Sequence, residues 1–127
     1  MRKVRKKMNP PGMPEQVPVS KLIAEDVLND VKNERRRQMT TAGHTPAGDD
    51  RYRHGVLANA GAAYALQAAN PHNNTVPAAW PWRHDLFRST TPRRDLIKAA
   101  ALILAEIERI DRMTLCRVPD TDEDATE

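Results

Sequence analysis

The residues whose types and spacing could do chemistry are Trp80, Pro81, Trp82 and Arg83, followed by Arg88, Arg93 and Arg94. The two indoles could stack on a purine or nicotinamide ring, and the guanidinium groups behind them could hold a phosphate through paired hydrogen bonds. Arg93 and Arg94 fall in the first turn expected of a helix that opens at Thr91 and Pro92. Unpaired N–H groups and the helix dipole already favour an anion there. The alternative use of both indoles is to close the end of a small helical core that has few other large side chains. A second basic group, Arg35, Arg36 and Arg37, sits in the last turns expected of an earlier helix, where cations complement the dipole or face an anion. Asp49 and Asp50 could accept ribose hydroxyls. The candidate ligand-binding set is therefore Trp80, Trp82, Arg83, Arg93, Arg94, Arg35, Arg36, Asp49, Asp50 and Tyr64.

A different chemistry would need Glu34, Asp49, Asp50, Asp95 and Glu106 to gather around magnesium, which takes oxygen ligands in octahedral geometry. Caps and salt bridges are the alternative use of these carboxylates. His44, His54, His72 and His84 form no pair at helical i, i+4 spacing and no H-E-x-x-H pattern, so the sequence offers no zinc site. Cys116, alone, excludes an internal disulfide and a cysteine-based zinc cage, and reads as a small apolar residue. The expected metal and cofactor content is none.

Positioning these groups falls to three expected helices. The first runs from Ser20, as N-cap, to about Met39, with Ile23, Val27 and Val31 on one face and Leu28 beside them. Gly43 stops it, and GHTPAGDD (43–50) forms an ordered turn that leads, through Asp49 or Asp50 as cap, into a second helix over about 50–69. Leu57, Ala60, Gly61, Tyr64 and Ala68 form its stripe, and its small residues predict close packing against Ala99, Ala100 and Ala101, within one chain or across a dimer. The third helix follows Thr91 and Pro92 and continues to Met113. Its stripe of Leu96, Ala100, Ile103, Leu104, Ile107 and Ile110 is expected to be buried. The intervening segment 70–90 carries both tryptophans, the only phenylalanine and two stiffening prolines, Pro77 and Pro81, so it reads as functional or locally folded.

With 127 residues, 39% of them hydrophobic, and ten prolines, the chain holds one small domain with tails. The net charge of +3 hides a basic cluster at Arg2, Lys3, Arg5, Lys6 and Lys7 and an acidic one at Asp120, Asp122, Glu123, Asp124 and Glu127. Fourteen arginines against six lysines favour anionic partners, because a planar guanidinium grips phosphate or carboxylate in a fork. No apolar run approaches the roughly 20 residues that span a bilayer. The basic N-terminus is followed by proline and glycine rather than an apolar segment, so cytoplasmic location is expected. The organisation expected is a disordered basic tail (1–19), a helical domain (20–116) and a disordered acidic tail (117–127).

Several stretches resemble small proteins of bacteriophages and prophages: ERRRQ (34–38), the GHTPAGDD turn with the alanine-rich helix ending in AAYA (62–65), WPW (80–82) and RRDLIKAAALILAEIERIDR (93–112). The resemblance covers roughly residues 20–113. Proteins of that group often carry Glu where this chain has Val56, after Gly55, so any role of that Glu in metal binding is missing here. A weaker similarity is to the MazG-type all-α nucleotide pyrophosphohydrolases. Their E-E-x-x-E motif is absent, and the only E-x-x-D here is Glu108 to Asp111.

The reading is an all-α bundle of three main helices, completed by homodimerisation because three small amphipathic faces leave little independent core. The first functional expectation is a non-catalytic binding protein for a small nucleotide-like anion. Resemblance to phage proteins implies a counter-defence sponge for nucleotide signals of bacterial immunity. The second is a magnesium-dependent, MazG-like nucleotide pyrophosphohydrolase using Glu34, Asp49, Asp50 and Asp95. The third is a nucleic-acid-binding accessory protein led by the basic tail, whose binding would weaken steeply with salt.

Overall fold

A computed structural model describes residues 17–40 and 45–117 of the chain. The basic cluster (within 1–16), the acidic cluster (within 118–127), Gly43 and His44 lie outside these residues, and so does the side chain of Cys116. Every described element is helical: α1 (Val19–Thr40), a short α2 (Pro46–Asp49), α3 (Val56–Ala69), a single 3-10 turn at His84–Leu86 and α4 (Pro92–Arg117). α4 carries the fold, packing against each of the other three helices. No described helix is long and apolar enough to cross a membrane.

Helix boundaries differ from expectation where capping chemistry competes. The Pro18 carbonyl accepts the N–H groups of Lys21 and Leu22 at 3.0 and 3.1 Å, so α1 starts two residues early, at Val19, and Ser20 lies inside its first turn rather than at the cap. Neither Asp49 nor Asp50 opens the long second helix. Thr45 instead caps α2, its hydroxyl accepting from the Gly48 N–H at 3.1 Å, and Asp49 ends that helix fully buried. α3 opens only after His54 and Gly55, whose φ values of 62° and 76° are both left-handed, a reversal that Gly adopts freely and His does not. Thr91 behaves as expected, accepting the Arg94 N–H at 3.2 Å.

The core is built from small residues. Leu57, Ala60, Ala63 and Tyr64 of α3 meet Ala99, Leu102 and Ala105 of α4, with Trp80 closing one end. At Gly61 a Cβ would stand 3.1 Å from both the Ala99 carbonyl oxygen and Ile103 Cγ1, so the expected close approach is real and lies within one chain.

Two expected apolar faces are not buried. α4 turns Ile97, Ala99, Ala101, Leu102 and Ala105 inward, while Leu96, Ile103, Leu104, Ile107 and Ile110 are exposed and Ala100 is half-buried. The reason is geometric: glycine and alanine on α3 admit only a close partner, and the alanine-rich face of α4 fits where the isoleucine face would not. On α1, Val31 is buried but Ile23, Val27 and Leu28 are exposed.

Candidate functional site

One recess, of about 790 Å³, opens between the second half of α1, the start of α4 and the connection from α3 to α4. Its aromatic wall consists of Tyr52, Tyr64, Trp80 and Trp82, and its polar wall of Glu34, Arg37, Gln38, Arg88, Arg94 and Lys98.

The aromatic wall assembles ring by ring. Trp80 is buried and donates its indole N–H to the Arg83 carbonyl at 2.9 Å, which folds the connection back on itself. Its ring meets Tyr64, Trp82 and Phe87 edge-on at centroid distances of 5.4, 5.1 and 5.0 Å. Trp82 is half-buried and lies 5.3 Å from Tyr52. Edge-to-face rings at these distances hold one another by their quadrupoles as well as by burial. The segment 70–90 is therefore locally folded.

The polar wall centres on Glu34, whose side chain has no exposure. Arg37, three residues on, grips it with two hydrogen bonds of 2.9 and 2.8 Å, Gln38 donates at 3.0 Å, and Arg94 bonds to it from the first turn of α4. Burial pushes the Glu34 carboxyl up, but the donors from Arg37 and Gln38 and the nearby charges of Arg37 and Arg94 outweigh it, leaving the group below its ordinary value. Lys98 donates to the Arg88 carbonyl, and its ammonium lies 5.4 Å from the centre of the Tyr64 ring. Burial holds Lys98 below the usual lysine range and Tyr64 above the usual tyrosine range. The Tyr64 hydroxyl accepts the Arg88 N–H at 3.0 Å. Among the cations lining the recess, Arg88 alone has a charged group with no partner among the described residues. The Gln38 Oε1 is likewise buried without a donor.

Of the sequence candidates, Trp80, Trp82, Tyr64 and Arg94 line this recess and six do not. Arg35 is buried elsewhere, bonded to Asp49 at 3.1 Å and Glu108 at 3.0 Å, because only opposite charges could compensate its burial. That contact removes Asp49 from the site as well. Asp50 pairs with Arg112 at 2.8 Å, Arg93 with Asp30 at 2.8 Å and Arg83 with Asp85 at 2.6 Å, while Arg36 is exposed. Consecutive residues on a helix point about 100° apart, which is why Arg94 enters the recess and Arg93 cannot. Trp80 is a core ring rather than an open stacking face.

Of the basic trio expected to face an anion, Arg37 is the member that lines the recess, and the sequence reasoning missed Gln38, Tyr52 and Lys98 as site residues. A signal existed for two of them, Gln38 and Lys98: Glu34 and Gln38, and separately Arg94 and Lys98, stand four residues apart and so share a helix face.

The carboxylates proposed for magnesium do not gather. Asp95 accepts from Ser89 Oγ at 2.6 Å and from the Thr90 N–H at 2.9 Å, Glu106 pairs with Arg109 at 2.8 Å, and Glu34, Asp49 and Asp50 are each held by arginine. Among the described residues no three acidic, histidine or cysteine side chains come together as a metal site would require. Comparison of the chain with protein-family models, with curated proteins and with solved structures finds no match.

Proposed function

We propose that the chain is a non-catalytic binding protein that captures a small, nucleotide-like anion in this recess. The observation that carries the reading is the convergence of Arg37, Arg88, Arg94 and Lys98, against the single carboxylate of Glu34, beside the half-buried rings of Tyr52 and Trp82. Such a wall has a surplus of positive charge next to flat apolar surface, the two features that a phosphate and a base each require. Arg88 would make the first contact with the anion, because its guanidinium has nothing to give up. Arg94 and Arg37 would share their donors between Glu34 and the phosphate. The resemblance to bacteriophage proteins supports sequestration of nucleotide signals used in bacterial immunity as the purpose of such capture.

The magnesium-dependent pyrophosphohydrolase reading loses its support because its four carboxylates are separately engaged. The nucleic-acid reading rests on the tail before residue 17, outside the described residues.

A thermal-shift screen with nucleoside mono- and triphosphates, cyclic dinucleotides and cyclic ADP-ribose isomers tests the proposal, since a ligand that binds only the folded state raises Tm by mass action. The expected result is a Tm rise that persists in EDTA, with the ligand recovered intact after heat release. Consumption of the ligand that depends on magnesium would replace capture with hydrolysis. No shift with any member of the panel would remove the nucleotide reading altogether.

A further inference from the structure

The α1 helix extends beyond the body of the protein. Every residue from Val17 to Asn29 is exposed, although Ile23 and Val27 continue the face that buries Val31 and Gln38 further along. A helical overhang of this length has no tertiary support among the described residues, and isolated helices shorter than about 12–15 residues are marginal in water. α4 shows the complementary anomaly. Leu96, Ile103, Ile107 and Ile110 fall within one stripe at helical spacing; Ile103 borders Gly61 of α3 at one edge, yet the stripe stays largely uncovered, with Leu96 52%, Ile103 44% and Ile107 49% exposed. Meanwhile five of the eleven buried hydrophobic residues are alanine. The larger aliphatic side chains of this protein are mostly on its outside.

We propose that both faces are covered by a second copy of this chain, in a symmetric dimer in which the Ile23–Val27 overhang and the Ile103–Ile107–Ile110 stripe are the buried surfaces. The chain's own remaining segments cannot serve. Residues 1–16 offer Val4 and three methionines among three prolines, three lysines and two arginines, and residues 118–127 offer Val118 and Ala125 among acids. Neither composition fills an isoleucine stripe. Two helical strips per protomer, each about 20 Å long and about 10 Å wide, give roughly 400 Å² in projection. Side-chain relief raises the accessible area toward the ~800 Å² per partner of a standard interface. Because a two-fold interface presents the same patch on both sides, one chain carrying two uncovered apolar faces satisfies both by pairing with its twin. Exposed apolar surface on this scale otherwise favours aggregation.

Sedimentation velocity on the full chain across roughly 1–100 µM, a range chosen to bracket ordinary homodimer affinities, provides the test. The expected species has twice the 14.3 kDa chain mass. Ile107→Glu and Ile23→Glu should each give monomers that retain their far-ultraviolet helical signal, since neither side chain belongs to the internal core. If a glutamate variant loses that signal, Ile107→Ala decides, with dissociation at least tenfold easier than in the parent. A parent chain that stays monomeric at the highest concentration, or an oligomer that none of these substitutions weakens, overturns the proposal.

Discussion

Arg94 reaches from the opening turn of α4 to the buried carboxylate of Glu34 on α1, across a separation of 60 residues. This contact joins two helices and also occupies a cation that faces the recess, so stability and binding compete for the same guanidinium.

Glu34→Gln should therefore move stability and anion affinity in opposite directions. Removing the carboxylate leaves Arg37 and Arg94 facing each other without compensation. Both are more than a third exposed, which tempers the loss to about 1–3 kcal/mol. The two released forks should bind a phosphate probe more tightly, which urea unfolding and a fluorescence titration read separately. Parallel losses in both measurements would show that Glu34 only holds the fold.

Arg88→Ala should weaken capture without cost to folding. Its guanidinium has no partner among the described residues, and only its backbone groups hold the connection in place. A charge-assisted hydrogen bond contributes about 1.5–3 kcal/mol, so affinity for a nucleoside monophosphate should fall roughly tenfold or more. An unchanged titration would place the anion elsewhere.

The buried pair of Arg35 and Asp49, with half-exposed Glu108 as a second partner of Arg35, makes a stability prediction independent of any ligand. Arg35→Ala takes the salt-bridge partner from Asp49, a carboxylate with no exposure, at a cost of about 3–5 kcal/mol. Replacing Arg35 by Met and Asp49 by Leu together should cost much less. A double-mutant cycle in urea checks this, and additive losses would contradict it.

At Gly61 the two tendencies of a Gly→Ala change oppose each other. Helix propensity favours alanine by up to about 1 kcal/mol, while the new Cβ at 3.1 Å from a backbone carbonyl forces α4 outward at about 1–3 kcal/mol. The net expectation is a loss on the order of 1 kcal/mol, with a larger loss for Gly61→Val. A gain in Tm for Gly61→Ala would mean that α4 yields easily.

The pH dependence follows from two shifts of known sign. The folded Glu34 carboxyl lies below its ordinary value, so its ion pairs contribute fully at neutral pH. That contribution is lost as pH falls from the ordinary carboxylate range through the lower folded value. Lys98 is also depressed in the folded protein, so it loses its proton before an ordinary lysine, and folding gains stability as pH rises through that window. Anion affinity should decline over the same alkaline window. Lys98→Arg should carry the affinity to higher pH, as titrations between neutral pH and about pH 10 would show.

Much of the scaffold was legible from local chemistry. The three long helices, the Thr91 cap and the close approach at Gly61 all follow from residue spacing and size. Orientation was less legible, because Leu96, Ile103 and Ile107 advertise a buried stripe, yet the opposite, alanine-rich face of α4 won the interior. A hydrophobic pattern states that a face needs covering without saying by what. At the site, Trp82 and Arg94 could be picked out by type and Arg37 as one of a basic trio, whereas Lys98 is an ordinary helix-surface cation by sequence and joins the recess only because α1 and α4 cross. Arg35 was misplaced because nothing local distinguishes it from Arg36 and Arg37; its partner Glu108 lies on another helix.

The backbone of Arg88 is fastened on both sides, its N–H to the hydroxyl of Tyr64 and its carbonyl to the ammonium of Lys98. Its guanidinium, exposed and with no partner among the described residues, extends from a fixed pivot. Arrival of a guest then has to fix one exposed side chain on an already anchored backbone, with no rearrangement required among the described residues. Association should run at the pace of an electrostatically steered encounter and slow with added salt, rather than wait on a conformational step.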